Sequence, residues 1–416
     1  MHEPTPFRAG IGFATGRKSF RKVLRTNVYN WQESGLVADR NVSLNLFVAY
    51  DLDYNKTRTQ DYTQLHRDLT DQIDRRWFIG SRNIEEETAS LAQDGVLTPA
   101  EARMLFGKGY AGKRNAVLYM AIKNKMDCLV FLDDDEYPLA VTRSSNGALW
   151  SGQEVLAEHL RHIGEVDITH GHHCGYVSPI PQIRFDDTLT ASDFRLFIEA
   201  ISNDILQWEK IESIMQDGGV TYADKHILTR HTPEVVEESL GLKFISGANL
   251  CINLTDPTRV FPFYNPPGAR GEDTFLATCL HDRSVLRIPT YSFHDGFSTY
   301  QCLLDGVLPI RLKQIRADHP DVANRFFKAC IGWIRYKPLL LKITRPAEFD
   351  ALTASIREKL TTSLPALCDY FREPRFMEVL SEFEKYTRRS DLHLAEFAKT
   401  RVAWAKLMDH LTASRG

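Results

Sequence analysis

Short apolar runs alternate with helical patterns along the first 132 residues, and this alternation constrains the fold more than any other feature. We predict strands at residues 7–14, 42–50, 76–80 and 127–132, and helical segments at 17–33, 59–74, 84–106 and 113–125. Strands that alternate with helices favour parallel pairing with helical crossovers. The sequence therefore predicts an α/β fold whose sheet is flanked by helices.

The rest of the chain has a mixed middle and a helical end. We expect further strands at 165–177, 242–254 and 284–293, and a long helix at 191–215. From about residue 308, apolar side chains recur every three or four positions, which is typical of amphipathic helices. The expected organisation is an α/β domain over residues 1–305 and a helical C-terminal region over 306–416.

Composition excludes several classes of protein. The net charge is −3, so no basic field favours a nucleic-acid partner. The chain has no apolar run of roughly eighteen residues, and its first twenty residues lack the apolar core of a signal peptide. Seven cysteines are scattered singly, which indicates reduced thiols rather than disulfides or zinc ligands. We therefore expect a cytoplasmic enzyme without a transmembrane segment.

An acidic run closes the fourth predicted strand. Residues 129–136 read LVFLDDDE, so Asp133, Asp134 and Asp135 directly follow an apolar strand. Ligands of parallel sheets bind beyond the carboxyl ends of the strands, so these carboxylates are expected to face the crevice. Three adjacent carboxylates repel one another, and a hard cation such as Mn²⁺ or Mg²⁺ removes that cost. A solvated acidic turn that caps the next segment is the alternative.

An apolar strand that ends in Asp-x-Asp resembles the GT-A glycosyltransferases, and the resemblance covers roughly residues 7–300. It implies a Rossmann-like mixed sheet and a UDP- or GDP-sugar donor. Asp133 would contact the ribose or the cation, Asp134 would lie beside the nucleotide, and Asp135 would bind the cation directly. His294 ends a later apolar strand and would be the third cation ligand, although a lone histidine is more often structural.

The expected nucleotide site includes the loop after the first strand. The resemblance implies that Ala14, Thr15, Gly16 and Arg17 contact the base and ribose. Asp51, at the end of the second strand, matches the position of an acidic contact to the base. An ordinary Thr-Gly-Arg turn is the alternative.

Two helix starts carry the remaining charged candidates. Lys113 and Arg114 lie in GKGYAGKRNA, where a helix N-terminus and two cations favour an anionic ligand. Glu272 and Asp273 resemble the Glu-Asp motif that faces the acceptor hydroxyl in the same family. We expect Asp273 to be the general base of an inverting reaction and Glu272 its structural or acceptor-binding neighbour. A solvated basic first turn is the alternative for one of the two cations, Lys113 or Arg114. Ordinary helix N-terminal chemistry is the alternative for Glu272 and Asp273, because acidic residues are favoured there.

The acceptor side has two weaker candidates. Residues 246–249 (SGAN) interrupt a predicted strand with small side chains, so a ligand could approach the backbone there. A β-bulge without a ligand is the alternative. The histidines in THGHHCG (His170, His172 and His173) either line the acceptor side or are ordinary polar strand residues.

Together these features predict a metal-dependent glycosyltransferase of the hexosyltransferase type. It would transfer a sugar from a nucleotide-diphosphate sugar to a hydroxyl acceptor. Two other functions remain open. One is a sugar nucleotidyltransferase, because GFATGRK at 12–18 weakly resembles the phosphate-binding loop of such enzymes. The other is a non-catalytic protein that binds nucleotide sugars on the same fold.

Overall fold

The computed structural model describes residues 6–202, 208–230 and 232–413 of the chain. The strands are β1 (Phe7–Thr15), β2 (Val42–Tyr50), β3 (Arg75–Ile79), β4 (Cys128–Phe131), β5 (Glu136–Tyr137), β6 (Leu139–Ser144), β7 (Gly147–Gly152), β8 (Ile168–Gly175), β9 (Glu234–Val235), β10 (Glu238–Ser239), β11 (Leu242–Lys243), β12 (Leu250–Asn253) and β13 (Val285–His294). The helices are α1 (Phe20–Glu33), α2 (Gln60–Thr63), α3 (Arg67–Thr70), α4 (Ser81–Gln93), α5 (Pro99–Phe106), α6 (Tyr110–Lys123), α7 (Val155–His162), α8 (Ala191–Ile201), α9 (Trp208–Gln216), α10 (Lys225–Leu228), α11 (Glu272–Ala277), α12 (Pro320–Thr344), α13 (Phe349–Phe371), α14 (Glu378–Arg388) and α15 (Ser390–Ala413).

One mixed sheet organises the fold. Its strand order is β3-β2-β1-β4-β12-β8-β13-β5, and β9 pairs with β13. The first four strands are mutually parallel, β12 is antiparallel to both of its neighbours, and β13 is parallel to β8. The predicted α/β class with a mixed sheet flanked by helices is thus confirmed. Because β2 and β4 lie on opposite sides of β1, the strand order reverses there, and ligands of such sheets bind at this point.

Side chains of successive strand residues point to opposite faces of the sheet. Both faces carry apolar side chains here, and helices cover each of them. On one face, Phe47 and Phe131 belong to a core that includes Val117 of α6. On the other face, Phe13 belongs to a core that includes Val23 of α1. The carboxyl ends of β1, β2 and β4 are therefore held at one edge by two packed helical layers.

The C-terminal helices pack against the rest of the chain. Trp404 of α15 lies in the core beside the sheet, and Phe326 of α12 lies in a third core with Phe197 of α8. Within the described ranges, no helix is both long enough and apolar enough to cross a membrane. The division of the chain at residue 305 stays a prediction.

Three predicted elements differ from the structure. The segment 59–74 forms two short helices instead of one, and the predicted helix at 191–215 is interrupted because Ser202 is extended. Residues 203–207 lie outside the described residues. The predicted strand 242–254 is split into β11, which pairs with β10, and β12 of the main sheet; residues 244–249 between them are not in a strand, and Asn249 directly before β12 has a φ of 50°. Left-handed backbone cannot continue a strand.

Candidate functional site

The carboxyl ends of β1 and β4 are joined by polar contacts at the point where the strand order reverses. The hydroxyl of Thr15 donates to Asp134 Oδ2 at 2.5 Å and accepts the backbone N–H of Arg17 at 3.1 Å. The guanidinium of Arg17 donates to Asp134 Oδ1 at 3.0 Å and also pairs with Asp135. The predicted loop after β1 and two of the three aspartates therefore form one site.

Asp51 and Lys113, which were both predicted to bind the nucleotide, lie beside this loop. Asp51 donates its backbone N–H to the carbonyl of Thr15 at 2.9 Å, and its carboxylate accepts from Lys113 Nζ at 2.8 Å. Burial alone would raise the pKa of Asp51, but Lys113 holds it below the ordinary value. Ala14 is buried at the end of β1, and Gly16 contacts Tyr54, since a Cβ on Gly16 would lie 2.8 Å from that side chain.

Asp133 contacts different residues from those that Asp134 and Asp135 contact. It accepts from the hydroxyl of Tyr110 at 2.6 Å and from Arg114 at 3.3 Å. Arg114 is almost fully buried, pairs with Glu272 at 3.5 Å and donates to the carbonyl of Gly247. Thus Arg114 connects the acidic run to the predicted acceptor side.

Glu272 and Asp273 differ in how strongly they are held. Glu272 is 9% exposed and paired with Arg114, whereas Asp273 is half-buried at the start of α11. A Cβ on Gly247 would lie 3.1 Å from Asp273 Oδ2, so the predicted SGAN segment borders this carboxylate. Burial, followed by the charge of Asp273, raises the pKa of Glu272 to about 7, and burial also raises the pKa of Asp273.

Asp135 and His294 are the pair whose chemistry suits a divalent cation. His294 Nε2 lies 3.6 Å from Asp135 Oδ1, while His294 Nδ1 lies 2.6 Å from the carbonyl oxygen of Tyr176. The carbonyl at Nδ1 fixes the orientation of the ring and directs Nε2 toward Asp135, and a cation bound at Nε2 would replace the proton that the Asp135 carboxylate favours there. In the described part of the chain, no group of three or more His, Cys, Asp or Glu side chains is arranged to hold a metal ion. Carboxylate oxygen and imidazole nitrogen are both ligand types that Mn²⁺ accepts. Binding of Mn²⁺ or Mg²⁺ by Asp135 and His294, with Asp133 as a third ligand, stays a prediction.

The charges of the acidic run are tuned in opposite directions. Burial raises the pKa of Asp134 to about 7 against the opposing charge of Arg17. Burial alone would also raise the pKa of Asp135, but His294 and Arg17 hold it well below the ordinary value. Burial alone would lower the pKa of His294, but the carboxylate of Asp135 raises it to about 9. The site thus keeps a firmly ionised carboxylate at Asp135 beside an aspartate that protonates easily.

The three strand histidines lie in different surroundings. His173 Nε2 contacts Glu136 Oε1 at 3.1 Å, next to the acidic run. His172 stacks on Tyr291, and His170 packs edge-on against Phe244. Among the described residues, neither ring nitrogen of His170 has a hydrogen-bond partner. Only His173 joins the site, and both interpretations of the other two histidines stay open.

Sequence reasoning missed three residues at this site: Tyr110, Glu136 and Arg325. Tyr110 lies four residues before Arg114 on α6, and Glu136 follows the three aspartates, so the positions of both next to a candidate motif could have indicated them. Arg325 comes from α12, and the local sequence contains no signal that links it to the acidic run.

The chain was also compared with known proteins. No protein-family model and no curated protein sequence matches it. The arrangement of the side chains is therefore the main basis for assigning a function.

Proposed function

We propose that the chain is a glycosyltransferase of the GT-A type that transfers a sugar from a nucleotide-diphosphate sugar to a hydroxyl group. One observation carries the proposal: Thr15, Arg17, Asp51, Lys113 and the acidic run converge beyond the carboxyl ends of β1, β2 and β4. The parallel order β3-β2-β1-β4 is that of a nucleotide-binding half-sheet, and its ligands bind at the reversal beside β1.

The proposed donor site combines cations with carboxylates. Lys113 and Arg17 would contact the phosphates, and Asp51 would accept hydrogen bonds from the base or ribose. Asp135 and His294 would hold Mn²⁺ or Mg²⁺, and that ion would neutralise negative charge on the leaving diphosphate. Each of these side chains already has an ion-pair partner, which supports a site that is ordered without a ligand.

The acceptor would enter from the side of Gly247 and Asp273. The acceptor oxygen would attack the anomeric carbon while the bond from that carbon to the diphosphate oxygen breaks, and the hydroxyl proton would pass to Asp273. Asp273 suits this role because burial raises its pKa and because, unlike Glu272, it is not paired directly with Arg114. The products are the glycoside and a nucleoside diphosphate.

Calorimetry with UDP and GDP, each with and without Mn²⁺, tests the donor site. Wild type should bind one of the two diphosphates in a Mn²⁺-dependent manner, and Asp135→Asn should abolish that dependence. Asp187→Asn is the matched control, since Asp187 is exposed and far along the chain from the acidic run. Equal Mn²⁺-dependent binding by Asp135→Asn and wild type would refute the site.

A product assay separates the alternatives. A glycosyltransferase releases a nucleoside diphosphate from a nucleotide sugar, whereas a nucleotidyltransferase releases pyrophosphate from a nucleoside triphosphate and a sugar phosphate. Binding without either release, over a screen of nucleotide sugars with sugar and lipid acceptors, would indicate a non-catalytic protein.

A further inference from the structure

Arg325 extends from α12 of the C-terminal helical region to the edge of the candidate site. Its guanidinium carbon lies 4.5 Å from the centroid of the Phe297 ring, which it covers. The neighbouring Phe326 is fully buried in the helical core, so the backbone that carries Arg325 is fixed by packing. A rigid helix thus presents this side chain at a defined position.

Gly296 shows how close Arg325 is to the acidic run. A Cβ on Gly296 would lie 2.8 Å from His294 Cε1 and 3.1 Å from Arg325 Nη2, so the two side chains lie side by side above this glycine. His294 in turn contacts Asp135. A larger residue at position 296 would push the guanidinium away from the site.

The charges around Arg325 are of both signs, and that of Asp135 has the strongest effect. Within the described ranges, no carboxylate forms an ion pair with its guanidinium. Burial lowers the pKa of Arg325, Asp135 and Tyr54 oppose that change, and the positive charges of Arg17 and Arg270 add to it. Half-buried arginines that repel one another are costly unless anions offset them, and here the single carboxylate of Asp135 faces Arg17, His294 and Arg325 together. Phosphate is the anion whose oxygens match the planar guanidinium best.

We propose that Arg325 binds the diphosphate of the donor, opposite Arg17, so that the C-terminal helical region completes the donor site. The identity of this anion as part of a nucleotide rests on the proposed function. The arginine pair would hold the two phosphates from both sides, with Asp135 and His294 between them. The specificity would therefore be for diphosphates over monophosphates.

Calorimetry on the full chain in the presence of Mn²⁺ tests this role with three probes: UDP or GDP, the matching monophosphate and inorganic pyrophosphate. Arg325→Gln should weaken diphosphate binding about 10- to 100-fold, the effect of losing a charge-assisted hydrogen bond. Monophosphate binding should change less than about threefold, because a monophosphate lacks the second phosphate that Arg325 would contact and only a distant charge is lost. Arg325→Lys should retain part of the affinity. Lys328→Gln is the control on the same helix, since Lys328 is exposed, and it should bind all three probes as wild type does.

Each outcome distinguishes the two proposals. Unchanged diphosphate binding by Arg325→Gln, or equal loss of diphosphate and monophosphate binding, would overturn the role of Arg325 and leave the proposed function standing. Arg325-dependent binding of pyrophosphate without binding of either nucleotide would support the anion site and overturn the proposed function. Wild type that binds none of the probes would overturn both. Thermal unfolding of each variant shows whether it is folded.

Discussion

The hydroxyl of Thr15 lies 2.5 Å from a carboxylate oxygen of Asp134 and joins the end of β1 to the residues that follow β4. The two strands are parallel neighbours, so this contact lies at the mouth of the crevice. Asp134 is 9% exposed, and its other carboxylate oxygen accepts from Arg17. The buried carboxylate thus depends on two partners, one from the end of β1 and one from the loop that follows it.

Replacing Thr15 by valine keeps the shape of the side chain and removes the hydroxyl. We expect Thr15→Val to lower the free energy of unfolding by ~1–3 kcal/mol, because a buried carboxylate loses a hydrogen bond. Urea unfolding measures the change. Thr361→Val is the control, since Thr361 is exposed on α13, and it should stay within ~0.5 kcal/mol of wild type. Equal stabilities of the two variants would show that the Thr15 contact contributes nothing.

Arg114 is expected to be the most sensitive cation in the chain. It is 1% exposed, pairs with Asp133 and Glu272, and lies over the rings of Tyr110 and Phe131. Arg114→Met should cost ~3–5 kcal/mol of stability, because two carboxylates lose a buried partner. Arg82→Met, which breaks an exposed pair with Glu86, should cost at most about 1 kcal/mol. Chemical unfolding of both variants tests the contrast, and similar losses would contradict it.

His159 makes stability depend on pH. It is fully buried between Thr169 and Asn249, at 2.7 and 2.9 Å, and burial lowers its pKa to about 3. A histidine in an unfolded chain has a pKa of ~6.5. Between these values the unfolded chain binds one more proton at this residue, so the stability that His159 contributes is complete above about pH 6.5 and is lost as pH falls toward 3.

The variant His159→Gln removes this titration and can keep the bond to Asn249. The pH dependence of its unfolding free energy should be less steep than that of wild type by up to ~1.4 kcal/mol per pH unit between pH 4 and 6. The carboxylates titrate both in wild type and in His159→Gln, so their contribution cancels when the two pH dependences are subtracted. His226→Gln controls for loss of an imidazole at an exposed position. Parallel curves for His159→Gln and wild type would refute the buried neutral state.

The sequence was most informative where structure is determined locally. The ends of β1, β2 and β4 were predicted to within about a residue because apolar runs end there at turn residues or aspartates. Parallel strands end at the same edge of a sheet, so the contact between Arg17 after β1 and the acidic run after β4 follows from this pattern. The antiparallel position of β12 between β4 and β8 was not predictable, since strand pairing depends on contacts far apart in sequence. Arg325 was missed for the same reason, because only the packing of α12 brings it to the site.

Gly247 provides a test of the acceptor side. A Cβ at this position would lie 3.1 Å from Asp273 Oδ2, which is tighter than an ordinary contact, so Gly247→Ala should displace the Asp273 side chain slightly. We expect the acceptor KM to rise several-fold more than the donor KM. Gly164→Ala is the control, since a Cβ there would meet nothing within 4 Å. Steady-state kinetics with each substrate varied in turn measures both constants, and equal changes would place the acceptor elsewhere.

Asp273 and Glu272 give the sharpest test of the chemistry. Successive helix residues point about 100° apart, so one carboxylate can face the acceptor while the other pairs with Arg114. Asp273→Asn keeps the shape of the side chain but cannot accept the acceptor proton, so kcat should fall about 10²- to 10⁴-fold while nucleotide affinity stays as in wild type. Glu272→Gln should instead lower stability, because the carboxylate that pairs with Arg114 at 3.5 Å is lost. Single-turnover kinetics, calorimetry and urea unfolding of both variants measure these effects. Normal turnover in Asp273→Asn together with loss of turnover in Glu272→Gln would exchange the two roles, and normal turnover in both would place the base outside α11.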